Sequence, residues 1–402
     1  MTESAIEPIR IGVIGLGRAF TLMLPTFQRD ARVRLVAACD PIAAARDQFV
    51  RDFAGRTYGD AKSLCSDTDV EMIYIASPHQ FHARHVALAA AAGKHVLLEK
   101  PMAITLDDCT QMIDAMQTAR RSLIVGHSHS FDGPVLKARE LIDGGAIGAV
   151  RMIQALNYTD FLYRPRRPEE LQTEQGGGVI HSQAAHQIDV VRLLGGGLVH
   201  SVRAHTGQWD VSRPTEGAYS ALLKFADGAF ASLTYSGYGH FDSDQWMDWT
   251  SELGVAKDKD ASAYGTARRR LATFADAASE VQAKGDRNYG GAAQVPTPEP
   301  SAHQHCGPVI VSGERGDLRL TPEGVWVYGD ESRHFERMPQ TDAPCVPRRE
   351  VIDEVWATLR DGKPAVHDGE WARATTEASL AILESARLDR DVTLHWQVPW
   401  RR

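Results

Sequence analysis

The sequence predicts an α/β protein of two domains. Residues 1–128 read as a doubly wound parallel sheet, and residues 129–402 as an α+β domain on a large, mostly antiparallel open sheet with an insertion at about 238–308. Three observations carry this. Short apolar runs alternate with helix-length amphipathic segments up to about residue 128, β-rich stretches then follow one another almost directly, and a glycine-rich turn opens the first strand–helix unit.

In the first domain, Ile9–Ile14, Arg34–Cys39, Glu71–Ala76, His95–Leu98 and Leu123–Val125 read as strands. Between them, Phe20–Arg29, Pro41–Phe53, Gln80–Ala92 and Leu106–Arg120 carry helical patterning. Near-continuous apolar strands, each followed by a crossover helix, are what a parallel sheet covered on both faces requires. After Phe131 a helix at Gly133–Ile142 leads to strands at Val150–Asn157, Leu198–Gln208, Gly217–Phe225 and Ala229–Gly237, interrupted by one helix around Ser182–Leu194. Asp227-Gly228 marks a hairpin between the last two strands. The excursion at 238–308 contains Trp246–Ala256, a basic helical run Thr266–Ala283 and a Gly/Ala/Pro/Gln stretch, Gly290–Pro300. Insertions of this length commonly serve as lids or interface arms. Strands resume at Val309–Ser312, Asp317–Leu320 and Val325–Tyr328, and helices Glu350–Leu359 and Trp371–Arg387 close the chain.

Composition narrows the class. The chain has 402 residues, 43% hydrophobic and 24% charged, with a net charge of -8, values of a globular protein without a nucleic-acid binder's positive field. Five scattered cysteines (Cys39, Cys65, Cys109, Cys306, Cys345) form no paired motif, which fits a reducing cytoplasm rather than a disulfide scaffold or zinc ribbon. The N-terminal Met1–Arg10 does not read as a signal peptide, and no apolar stretch is long enough to span a membrane.

The turn Gly15-Leu16-Gly17-Arg18-Ala19-Phe20 lies between a strand and a helix. Its glycines permit close backbone approach to a pyrophosphate seated on the helix N-terminus. Asp40 ends the next strand, where a carboxylate accepts both ribose hydroxyls and repels a 2′-phosphate, favouring NAD over NADP. Asp40 also reads as a helix N-cap before Pro41, and Phe20 stands where a third glycine is usual.

Three further stretches sharpen the reading. They are Ala92-Gly-Lys-His-Val-Leu-Leu-Glu99-Lys100-Pro101, the upstream Ser77-Pro78-His79-Gln-Phe-His82 and the downstream Gly176-Gly-Gly-Val-Ile-His181-Ser182-Gln183-Ala-Ala-His186-Gln-Ile-Asp189. They resemble the AGKHVLxEKP, TPNxxH and GGGxxxDxGxHxxD motifs of the glucose–fructose oxidoreductase/inositol dehydrogenase (GFO/IDH/MocA) family. The resemblance implies a Rossmann domain followed by an open-sheet domain, an NAD cofactor, and hydride exchange between a hydroxyl-bearing carbon and nicotinamide. On that basis Gly15, Leu16, Gly17, Arg18, Ala19, Phe20, Asp40, Ser77, Pro78, His79, His82, Glu99, Lys100 and His127 are expected around the cofactor. Lys100 and His186 are expected as catalytic groups. A lysine beside a positive ring loses its proton more readily, and histidine exchanges protons near neutrality. Plainer readings remain at this stage: Lys100 as a surface lysine, His186 as a packed helix-face histidine. Ser182 replaces the family's usual aspartate and His79 its asparagine, and His127 stands where many members carry arginine.

Tyr163-Arg164-Pro-Arg166-Arg167 is a stiffened basic loop ahead of the glycine triplet. Arginine forks bind carboxylates bidentately, so Tyr163, Arg164, Arg166, Arg167, Ser182 and Gln183 are expected to bind a small anionic substrate. The same arginines read equally as partners for Glu169 and Glu170. The combined pattern looks most similar to the phthalate 4,5-cis-dihydrodiol dehydrogenase branch, implying oxidation of a carboxylated ring cis-diol in aromatic degradation. A sugar or inositol dehydrogenase and a non-catalytic NAD-binding regulator are the alternatives. Arg268-Arg-Arg270 reads as a solvated face or subunit contact, and His303-Gln-His305-Cys306 lacks the further ligands of a metal site. No metal, membrane or nucleic acid is expected, and a homodimer or homotetramer is.

Overall fold

The computed structural model describes residues 7–260, 263–296, 298–339 and 346–401; the extreme N-terminus and Cys345 lie outside them. Two compact units emerge: Met1–His127 with Gln282–Thr297 and Ala343–Arg373, and Ser128–Val281 with Pro298–Asp342 and Ala374–Arg402. No described helix is long and apolar enough to cross a membrane.

The first unit runs β1 (Ile9–Ile14), α1 (Arg18–Arg29), β2 (Val33–Cys39), α2 (Ala43–Phe53), β3 (Arg56–Tyr58), α3 (Ala61–Cys65), β4 (Met72–Ile75), α4 (His82–Ala91), β5 (His95–Leu98), α5 (Leu106–Thr118) and β6 (Leu123–Val125). Six strands pair in the order β3-β2-β1-β4-β5-β6, every pair parallel. Ile9, Ile11, Val13, Ile73 and Tyr74 are wholly buried, which is why these strands read as unbroken apolar runs. The strand order reverses between β1 and β4, so the carboxyl ends of these two strands flank the point where α/β sheets bind ligands.

The second unit begins with α6 (Gly133–Asp143) and β7 (Val150–Tyr158), then α7 (Ala185–Leu194), β8 (Val199–Gly207), β9 (Ala218–Phe225) and β10 (Phe230–Ser236). Helices α8 (Ala263–Leu271) and α9 (Ala277–Gly285) precede β11 (Val309–Gly313), β12 (Asp317–Thr321), β13 (Gly324–Tyr328) and β14 (Arg333–Arg337). Helix α10 (Arg349–Leu359) belongs to the first unit, α11 (Gly369–Leu388) begins there and ends in the second, and β15 (Val392–Thr393) follows. The nine strands order as β14-β13-β12-β11-β7-β10-β9-β8-β15, antiparallel except for β7 with β10. Helices α6 and α7 pack on the sheet.

Several elements differ from the sequence expectation. The basic run Thr266–Ala283 is two helices, because Asp276 accepts from the Ser279 amide (2.8 Å) while the Ser279 hydroxyl oxygen accepts from the Asp276 amide (3.1 Å), a reciprocal cap that starts α9. Strands β3 and β14 are edge strands of half-exposed polar residues and carry no apolar run to announce them. The excursion also divides. Residues 282–297 belong to the first unit, where Tyr289 meets Phe20 edge-on (ring centroids 5.1 Å) and donates to Asp52 at 2.5 Å. Residues 343–373 join it too: Arg360 grips Glu71 with two bonds of 2.5 and 3.0 Å, and the Val125 amide donates to the His367 carbonyl.

Candidate active site

In the first unit the expected cofactor residues collect at the carboxyl ends of the strands. Gly15 follows β1 with φ +95°, and a side chain there would meet the backbone of Ala76 and Ser77 at 2.8 Å, so only glycine lets β1 and β4 approach. Gly17, at the N-cap of α1, is the opposite case: a Cβ on it meets nothing within 4 Å, and no side chain caps the helix. Open space before uncapped helix amides is a cradle for an anion. Buried Asp40 fixes this loop, its carboxylate accepting from the amides of Leu16 and Ile42, both at 2.8 Å. These residues therefore fit a dinucleotide: glycine for the pyrophosphate, a preset carboxylate for the ribose.

Phe20 is wholly buried against Tyr289, so it serves the site by packing α1 rather than by touching a ligand. His82 is buried as well. Its Nε2 lies 3.0 Å from the Ser77 carbonyl and its Nδ1 3.1 Å from that of Met102, so it ties the loop after β4 to the turn after β5. Burial pulls its pKa down to about 4, and the neutral ring donates to only one of these carbonyls at a time. Glu99 is buried with Tyr74 donating to it at 2.6 Å, and burial raises its carboxyl above the usual range. Ser77, Pro78, His79 and Lys100 remain partly exposed, and His127 is buried.

In the second unit the sequence Ile180–Ala184 forms a turn of π-helix leading directly into α7. Wide turns of this kind are concentrated at functional sites because they displace side chains from the regular helical array. Here Ile180, His181 and Ala184 are buried while Ser182, Gln183 and His186 stay half-open. Helix α7 is anchored below: Gln187 accepts from the Tyr219 hydroxyl at 2.6 Å, and Asp189 accepts from Ser128, Ser130 and, at 2.7 Å, Thr375. The His129 ring lies 4.6 Å from that of His186, with Asp132 2.6 Å from its Nδ1.

Sequence reasoning missed Glu252. It is hydrogen-bonded by Asn157 at 2.8 Å and lies 3.9 Å from Arg164. Burial favours its protonated form, yet Arg164 and His129 outweigh that and hold its carboxyl below the usual range. The basic loop is answered within the chain. Arg167 pairs with Glu169 (3.1 Å) and Glu170 (3.5 Å); Arg166 lies 3.6 Å over the Phe161 ring and donates to its carbonyl at 2.6 Å. Arg164 pairs with Asp160 at 2.9 Å and stays 43% exposed. Tyr163 donates to Asp210 at 3.0 Å, and Arg268 lies 4.0 Å over its ring, so Arg268 is a packing residue rather than a solvated one. In the His303–Cys306 stretch both His305 ring nitrogens engage backbone groups, the Thr250 carbonyl (2.9 Å) and the Gly307 amide (3.0 Å), which uses the lone pair a metal would need.

Residues 9–127 match the oxidoreductase family with an NAD-binding Rossmann fold, and residues 135–256 match the GFO/IDH/MocA C-terminal domain. A curated relative from Comamonas testosteroni, 1-carboxy-3-chloro-3,4-dihydroxycyclohexa-1,5-diene dehydrogenase, is 49% identical over 94% of this chain and 95% of its own length. Inositol 2-dehydrogenase of Salmonella typhimurium is 29% identical over 46% of this chain and 54% of its own. A solved structure of a proposed dehydrogenase from Bordetella bronchiseptica is 38% identical with a TM-score of 0.90, covering 96% of this chain and 100% of that one. The chain is an NAD-dependent oxidoreductase and belongs to the GFO/IDH/MocA family.

Proposed function

We propose that the protein oxidises a cyclohexadiene cis-diol carrying a ring carboxylate. The observation that carries this is the 49% identity, over nearly the full length of both chains, to a dehydrogenase of a carboxylated dihydroxycyclohexadiene. The carbinol carbon gives up hydride and its hydroxyl a proton; a cyclohexadiene ketone then tautomerises to the aromatic diol, which draws the step forward. When bound, NAD supplies the hydride acceptor. Gly15, Gly17 and Asp40 bind its pyrophosphate and adenosine ribose, with Ser77, Pro78 and His79 beside them. Lys100 and His186 handle the hydroxyl proton, and both are partly exposed. Ser182, Gln183 and Tyr163 orient the ring, and Arg164 takes the carboxylate.

Phthalate 4,5-cis-dihydrodiol, giving 4,5-dihydroxyphthalate, is the dicarboxylate member of this class. With Arg167 and Arg166 engaged inside the chain, the loop offers one guanidinium more readily than three, which favours a single carboxylate. The test is NADH formation with a monocarboxylated cis-dihydrodiol, phthalate 4,5-cis-dihydrodiol, an uncharged cis-dihydrodiol and myo-inositol. Turnover of the carboxylated diols well above the others supports the reading, and preference for inositol overturns it. A homo-oligomer is also proposed, because Leu222, Ser232, Gln154 and Ile310 form one row across the sheet, with both apolar members exposed. Light scattering after size exclusion tests that.

A further inference from the structure

We infer that Asp132 and His129 are a positioning pair for His186, fixing the plane of its ring and the pH range in which it accepts a proton. The inference rests on the proposed role of His186 and deepens it.

Asp132 occupies the N-cap of α6, where aspartate ordinarily accepts a hydrogen bond from the helix's own first amides. It makes no such bond; its carboxylate turns instead to His129 Nδ1 at 2.6 Å. A carboxylate only 5% exposed is costly to bury without a strong partner, so the sequence forgoes a cap to hold this imidazole. The position of His129 is fixed from both sides. Its neighbours Ser128 and Ser130 both donate to Asp189, one helical turn beyond His186 on the same face of α7. That clamp brings the two rings to 4.6 Å at 60°. With Nδ1 committed to Asp132, the tautomer and tilt of His129 are set, and the tilt walls one side of His186.

The arrangement also places a negative charge one residue removed from His186. Glu252 and His305 face His129, His303 and Cys306 face Asp132, Asp189 lies along α7 and Arg164 stands behind Glu252. Neutralising Asp132 keeps these groups in place but also takes its charge away from His303, His305 and Cys306. Removing its charge makes a proton on His186 less favourable, so a base-dependent oxidation gains activity at lower pH.

The experiment uses the full-length enzyme with Asp132→Asn, Asp132→Glu and His129→Gln. For Asp132→Asn the expected result is a fall in kcat of roughly 10-fold to 100-fold with KM for the diol and NAD affinity nearly unchanged. The acidic limb of the kcat profile should move down by roughly half to one pH unit. Asp132→Glu should restore the limb, and His129→Gln should lower kcat similarly. A folded Asp132→Asn protein whose limb does not move overturns the inference and leaves the pair as packing. A second readout separates this from failure of the parent reading. The imidazole NMR signal absent from His186→Ala should titrate at lower pH in Asp132→Asn than in wild type, whether or not His186 proves necessary for turnover. An unchanged titration sinks the coupling by itself.

Discussion

On the proposed reading Asp40 performs two tasks that one substitution separates. Its carboxylate holds the loop by accepting from Leu16 and Ile42 at 2.8 Å, and its charge would receive the adenosine ribose. Asp40→Asn keeps one carbonyl oxygen for a loop amide but removes the charge. Charge-assisted hydrogen bonds contribute about 1.5–3 kcal/mol each against about 1 kcal/mol for neutral ones. Weakening two ribose bonds should therefore cost roughly 1–3 kcal/mol, a loss of about 5-fold to 150-fold in NAD affinity. For NADP the carboxylate's repulsion of a 2′-phosphate some 5 Å away, at an effective dielectric of about 20–40, is roughly 2–3 kcal/mol per unit charge. That repulsion disappears in the variant, so NADP should bind more tightly while NAD binds less tightly. Titrating both cofactors against tryptophan fluorescence measures the ratio. If wild type binds the two equally, or if Asp40→Asn weakens both by the same factor, the carboxylate is only a loop brace and the assignment of cofactor preference to it is refuted.

Lys100→Ala should lower kcat by on the order of 10²–10⁴-fold with NAD still bound, and His186→Ala should impair turnover with little effect on NAD affinity; stopped-flow NADH formation reads both. Arg164→Ala should reduce kcat/KM for a carboxylated diol by roughly 10-fold to 150-fold and far less for an uncharged one. Arg167→Ala, removing a partner of Glu169 and Glu170, should change both substrates alike. Stability should fall in acid: His82 and His305 are buried with pKa values lowered to about 4, whereas the unfolded chain protonates them near 6.5. The unfolded state then binds more protons between these values, so each histidine should remove about 2 kcal/mol between pH 7 and pH 5, and urea denaturation of His82→Gln should show a shallower decline than wild type.

What the sequence made legible is what backbone geometry compels. Gly15 must be glycine because Ala76 and Ser77 lie against it, and Asp40 must follow a strand to reach the loop, so both are visible as spacing. Phe20 departs from the glycine pattern because its ring packs on Tyr289, a residue far along the chain that no local pattern connects to it. Glu252 was invisible for the same reason: Asn157, Arg164 and His129, which give it meaning, come from separate stretches of chain. The pairing of His129 with Asp132 was not legible, because an aspartate before Gly-Pro looks like a helix cap.

The arginine loop shows how charge density in a sequence differs from binding capacity. Three arginines within four residues suggested a receptor for two carboxylates, yet the adjacent Glu169 and Glu170 already answer Arg167, and Phe161 shelters Arg166. What remains is Arg164, held by Asp160 on one edge and facing Glu252 at 3.9 Å on the other. If Arg164 takes the substrate carboxylate as proposed, that anion must share it with Glu252, and the competition is itself selective. An anion placed wrongly meets a buried carboxylate without compensation, while one placed correctly completes the second edge of the guanidinium fork. On the proposed reading, selectivity comes from where a single negative charge is allowed, more than from how many positive charges surround it.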